Sequence, residues 1–136
     1  MEFLKLSLQG LDEFLAYFGL CIGFVAVFLT IYVHITPYRE IALIRQGNTA
    51  AAASLSGTLI GFVMPLAAAV VHSVNAYDLA IWATIALVVQ LLVYLLARAL
   101  MPDLARDIPA GKVASGVFLG VLSACAGVLN AASMTY

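Results

Sequence analysis

His34, His72, Cys21 and Cys125, with the uncharged polar side chains Ser54, Ser56, Thr58, Gln90, Ser123 and Asn130, are the groups from which chemistry in this chain would have to be drawn. All of them lie within long apolar runs. Ionisable groups converging inside a membrane bundle are rare and point to function when present, but none lies deep in these runs. His34 closes the first run and His72 the second, so they face opposite sides of a membrane and cannot share a metal; both read as interfacial residues. Each cysteine stands alone in an apolar segment and reads as a small packing residue, with no disulfide framework. The serine and threonine hydroxyls are expected to bond to carbonyls one turn back or to pack between helices, with pore lining as the minority reading. Asn130 is expected to cap or cross-link helices in the outer third of the membrane. No nucleophile, base, metal set or cofactor site emerges, and the chain is not expected to be an enzyme.

The elements that must position these groups follow from composition. Of 136 residues, 65% are hydrophobic and 10% are charged, and the net charge is -1; the mean hydropathy is +1.10. A soluble domain carries about 25% charged residues and a nucleic-acid binder needs a basic excess, so both classes are excluded and the bilayer is the expected partner. A spanning helix needs about 20 apolar residues. Four runs qualify: Phe14 to Ile35, Thr49 to His72, Leu79 to Leu100 and Val113 to Met134. The expected fold is therefore all-α, a single integral membrane domain over 1–136 with four transmembrane helices. Residues 1–13 lack the basic cluster and small-residue cleavage site of a signal peptide, so the first helix should be retained. That lead-in is expected at the interface, with Phe3, Leu4 and Leu8 turned to lipid.

Small residues decide where such helices can meet. No hydrophobic force draws one apolar helix onto another in lipid, so close packing relies on Gly, Ala, Ser and Thr. The second run is the richest in them, and Gly57 with Gly61 forms a GxxxG pair; Gly19 with Gly23 and Gly116 with Gly120 form two more. All six glycines are expected at helix contacts. Pro65 lies inside the second run, where it removes the donor for the Gly61 carbonyl and is expected to kink the helix. Ile, Leu and Val dominate the third run and predict broad lipid contact, with Gln90 the exception near its midpoint. A primary amide in hydrocarbon needs partners. Gln90 is therefore expected to turn inward and donate to the second helix, with Gly61 as the candidate acceptor.

The 36–48 connection reads as a short helix lying on the membrane, with Thr36 as N-cap, Pro37 as first residue and Gly47 as C-terminal cap. Arg39, Glu40 and Arg45 would reach water while Ile41 and Ile44 face lipid. Asn48 should cap the second long helix and Asp78 the third. Both halves share one order: bulky helix, proline, short charged segment, glycine, small-residue helix. Placing Gly47 over Gly111 aligns Ala52 with Gly116, Leu55 with Leu119 and Ser56 with Gly120. This predicts two tandem two-helix hairpin repeats, 1–72 and 73–136, in parallel orientation about an axis along the membrane normal. Arg39, Arg45, Arg98, Arg106 and Lys112 flank the two connections, and the opposite side holds only Lys5. Basic residues are retained in the cytoplasm, so both termini are expected in the periplasm. Tyr77, Trp82 and Tyr136 would then anchor the outer interface, and Tyr32 and Tyr38 the inner one.

The segments NTAAAASLSGTLIGFVMPLAAA, IALVVQLLVYLLAR and GVLNAASMTY resemble the YjfL family of small bacterial inner-membrane proteins, built on a two-helix domain of unknown function. The resemblance runs from about the first helix to Tyr136. It implies a multi-pass inner-membrane protein of two tandem units with no assigned activity. Relatives encoded beside stress-response membrane-remodelling proteins and ATP-grasp ligases imply a cytoplasmic protein partner, which the 36–48 and 102–112 connections would meet. The leading functional expectation is a structural or partner-binding membrane subunit that forms a homo-oligomer. The alternative is a small passive channel or transporter component.

Overall fold

In the computed structural model, which describes residues 1–134, the chain forms six helices: α1 (Glu2–Ile35), α2 (Glu40–Arg45), α3 (Thr49–His72), α4 (Ala76–Leu100), α5 (Leu104–Asp107) and α6 (Val113–Ser133). Four of them, α1, α3, α4 and α6, are long and apolar enough to cross a membrane. The expected anchor Tyr136 lies outside the described residues. The N-terminal lead-in is not a separate element: it is the beginning of α1, a helix of 34 residues. At 1.5 Å per residue α1 is roughly 50 Å long, well beyond a hydrocarbon core of about 30 Å.

The centre of the bundle is the pair α3 and α6. They run in the same direction, with Ala50 beside Gly116, Ala53 and Gly57 beside Gly120, and Gly61 beside Ser123 and Gly127. A Cβ built on Gly57, Gly61, Gly116, Gly120 or Gly127 would overlap the backbone of the facing helix. These glycines therefore let two backbones touch, which is the source of association energy open to helices in lipid. α3 is helical through Pro65. The carbonyl that Pro65 leaves without its helical donor, on Gly61, faces Gly127 of α6. That approach suits a weak Cα–H···O contact and is open only to glycine.

α4 closes one side of the pair with a buried stripe of Leu79, Ala83, Ala86, Gln90, Tyr94 and Ala97. Its Ile81, Val88, Leu92 and Leu95 are exposed and face the lipid side. α1 joins differently from expectation. Among the described residues nothing lies within 4 Å of a Cβ built on Gly19 or Gly23, so that GxxxG pair meets no other helix here. The attachment is aromatic instead: Phe28 stacks on Phe62 with centroids 4.6 Å apart, and Tyr32 meets Tyr94 edge-on at 5.2 Å. Large rings hold α1 a side chain's width from α3 and α4, too far for its glycines to reach them.

Both connections end on one backbone motif. Gly47 and Gly111 have φ of +85° and +80°. The Gly47 amide donates to Ile44 O and the Asn48 amide to Leu43 O, and Gly111 and Lys112 repeat the pattern with Ile108 O and Asp107 O. This paired bonding around a left-handed glycine is the Schellman ending. Asn48 Oδ1 then accepts from the Ala51 amide as N-cap of α3, while its Nδ2 donates to Ile108 O and Pro109 O at 3.0 and 3.3 Å. The two connections are thus tied together at one end of the bundle.

Two caps differ from the sequence reading. Thr36 ends α1, and α2 begins only at Glu40 with Arg39 as N-cap. Pro37 holds Thr36 extended, and the Thr36 hydroxyl turns to the carbonyls of Val33 and Tyr38. The third long helix is capped by Asn75, whose Oδ1 accepts from the Asp78 amide while Asp78 Oδ2 accepts from the Val74 amide. Asp78 thus returns to the chain one residue before the cap, holding the entry to the helix from the other side. Replacing Gly57 by Leu should push α3 and α6 apart and cost about 1–3 kcal/mol or more. A thermal-unfolding series in detergent should show that loss for Gly57→Leu and Gly127→Leu, and almost none for Val88→Leu at the lipid face.

Candidate functional site

Where α3, α4 and α6 meet, the interior is polar. Thr58 Oγ1 donates to Ser54 O at 2.8 Å, a back-bond within α3. A threonine hydroxyl has one proton, so its contacts with Tyr32 Oη at 3.4 Å and Ser123 Oγ at 3.3 Å are bonds it accepts. Gln90 is fully buried, and its Nε2 donates to Ser123 O at 3.1 Å. The expected acceptor on the second long helix is not used. Gly61 supplies the space for the amide and α6 supplies the carbonyl, an interhelical bond worth about 0.6–2 kcal/mol. Gln90 Oε1 is buried without a hydrogen-bond partner among the described residues.

This layer continues to the end of the bundle that carries the connections. Tyr32 leads from Thr58 to Tyr94 and Tyr38, and these tyrosines surround the carboxyl of Glu40. Glu40 was expected in water; it is 1% exposed, seated where α2 folds back on the ends of α1 and α3. Tyr32, expected as an interfacial anchor, is also wholly buried. Both Glu40 carboxyl oxygens and Tyr38 Oη are buried and lack partners in hydrogen-bond geometry among the described residues. Burial pushes the Glu40 carboxyl up to about 8, the nearby Thr36 hydroxyl offsetting part of the rise. Burial, and then the Glu40 charge, also push the Tyr38 hydroxyl well above its usual range.

The other sequence candidates are dispersed. Ser54, Thr58, Gln90 and Ser123 belong to the column, whereas Ser56 is exposed on the outer face of α3. Asn130 is partly buried, with Nδ2 unpartnered among the described residues. Arg98 lies beside Tyr94. Arg39 and Arg45 are exposed at the rim of an open groove of about 650 Å³ lined also by His34 and Glu40. Arg106 pairs with Asp103 at 3.2 Å, and Lys112 with Asp107 at 3.3 Å. Asp107 also accepts from Ser115 Oγ. Glu40 and Tyr94 were missed by sequence reasoning. One signal could have found Glu40: Phe28, Tyr32, Thr36 and Glu40 recur every four residues, and all four are buried.

Fold and site together define a multi-pass helical membrane protein with a polar interior column. The family described as Domain of Unknown Function (DUF350) matches residues 5–134, and the chain belongs to that family. The UPF0719 inner membrane protein YjfL of Escherichia coli K12 is 43% identical over 129 residues, covering 95% of this chain and 98% of that protein. The protein of the same description from Escherichia coli O157:H7 matches to the same extent. No solved structure matches the chain.

The Glu40 environment sets a pH dependence. An ordinary glutamate at 4.5 loses its proton far below the folded group at about 8. Across that window the folded chain holds a proton that the unfolded chain has released, so stability falls as pH rises and levels off above about 8. The full fall is on the order of 5 kcal/mol at most. Thermal midpoints measured across the window should show this slope in the native protein and lose it in Glu40→Gln, whose amide cannot titrate.

Proposed function

We propose that this protein is a structural, partner-binding subunit of the bacterial inner membrane that works as a homo-oligomer, with α1 as the helix that joins protomers. The observation that carries this reading is the unused face of α1. Gly19 and Gly23 meet nothing among the described residues of their own chain, while the outer half of α1 stands off α3 across an open apolar groove of about 770 Å³. In lipid a small-residue face gains energy only when another helix packs on it. The shared Schellman endings at Gly47 and Gly111 support reading 1–72 and 73–136 as a duplicated hairpin. The basic residues at the connections support a cytoplasmic position for that end and periplasmic termini. A cytoplasmic protein partner would then meet α2 and α5. In this reading the subunit catalyses nothing.

The polar column favours a second reading, a small passive channel or transporter component. Within one protomer α3 and α6 touch backbone to backbone from Ala50 to Gly127, which leaves a solute no room between them. Such a path would have to run between protomers.

Mass measurement of the protein in lipid nanodiscs should give an oligomer. Gly19→Leu combined with Gly23→Leu should shift it to monomer without lowering its thermal midpoint, because neither glycine supports the protomer. A monomeric native protein would overturn the reading. For orientation, in a background carrying Cys21→Ala and Cys125→Ala, Gln46→Cys should be shielded from an impermeant maleimide on intact cells and Asn75→Cys should react.

A further inference from the structure

Because the two connections end on the same backbone motif, their residues can be compared position by position from Gly47 and Gly111. Glu40, the first residue of α2, then corresponds to Leu104, the first residue of α5. Both are buried, at 1% and 2% exposed. On the same count Tyr32 corresponds to Leu96, Thr36 to Leu100, Ser54 to Phe118 and Thr58 to Leu122. Hydrocarbon fills the second seat, so packing at this position does not require a carboxyl. Burying one without a partner costs free energy, and the geometry gives no structural return for it.

The surroundings of Glu40 indicate what the carboxyl can hold. Its two oxygens and Tyr38 Oη are unpartnered and buried among the described residues. Tyr32 from α1 and Tyr94 from α4 lie within its field, and Arg98 acts on Tyr38 and Tyr94 from the α4 side. His34, Arg39 and Arg45 line the groove that reaches Glu40. Three arginines around the seat disfavour a metal cation, whereas a proton neutralises the carboxyl and adds no charge. We propose that Glu40 is an exchangeable proton site, loaded through the groove beside His34, Arg39 and Arg45, with Tyr38 Oη accepting the hydrogen bond of the protonated acid. On release, the proton passes to water in the groove, and the carboxylate is left facing Tyr32, Tyr38, Tyr94 and, beyond them, Arg98. The site stands at the mouth of the hydroxyl column that ends on Gln90.

Dicyclohexylcarbodiimide, which adds to a protonated carboxyl in an apolar setting, tests this on the full chain in nanodiscs with peptide mass spectrometry. Glu40 should be modified in preference to Glu13, Asp78 and Asp103. The rate should be half-maximal near pH 8 and about a tenth of its low-pH maximum one further unit up. Glu40→Gln should abolish that label, and replacing choline by sodium or potassium should leave the rate unchanged. Glu40→Leu, patterned on Leu104, should fold with a thermal midpoint at or above that of the native chain. Absence of label on Glu40, a half-point in the ordinary carboxylate range, or protection by sodium or potassium would each overturn the proposal. A collapsed midpoint in both Glu40→Leu and Glu40→Gln would do the same, because the carboxyl would then be structural.

Discussion

Backbone contact between α3 and α6 is the constraint on which the rest depends. In lipid the gain from association is van der Waals packing and interhelical hydrogen bonding, and both grow as helix axes approach. Gly57, Gly61, Gly116, Gly120 and Gly127 bring the two backbones together. That closeness puts the Ser123 carbonyl within reach of Gln90 and the Ser123 hydroxyl within reach of Thr58. The polar column is therefore a consequence of the glycine stripe. With larger residues at the stripe, the same hydroxyls would lie too far apart to satisfy one another.

The column in turn sets the place of α1. Tyr32 of α1 meets Tyr94 of α4 edge-on and offers a hydroxyl to Thr58 of α3. Phe28, one turn away, packs on Phe62. These two rings attach α1 close to the connection end and leave its other end standing off. Aromatic pairs contribute about 0.5–1.5 kcal/mol beyond their buried area, enough to orient a helix already confined to the membrane plane. A helix held at one end and bare along a glycine face is suited to a second contact elsewhere.

The four spans and the Asn48 cap were legible in the sequence because they follow from local rules: length of apolar run and a side chain that reaches the next turn. The small-residue rule marks Gly57 and Gly116 and also Gly19, yet it says nothing about which glycine faces a helix of the same chain. That depends on where Phe28 and Tyr32 set α1, a tertiary matter. Thr36 shows a second limit. Its type suits an N-cap, but Pro37 fixes it extended and its hydroxyl serves carbonyls behind it. Glu40 was misplaced for the same reason, since a charged residue in a short connection is ordinarily solvated. Only the fold-back of α2 after Pro37 brings it inside.

The two connections share one backbone ending and differ in the side chains placed around it. Around Gly111 the positions corresponding to Glu40 and Thr58 are held by the buried Leu104 and the half-buried Leu122, while α4 and α6 add Gln90, Tyr94 and Ser123 to the column. Around Gly47 the same positions are polar, and 1–72 carries the Tyr32, Tyr38, Ser54 and Thr58 hydroxyls, while those of Tyr94 and Ser123 come from α4 and α6. Buried polar groups are costly unless satisfied, and a second polar side chain at position 104 would add to that cost without adding contact area. With leucine at position 104 and glycine between α3 and α6, the bundle stays closed around the buried Glu40 carboxyl.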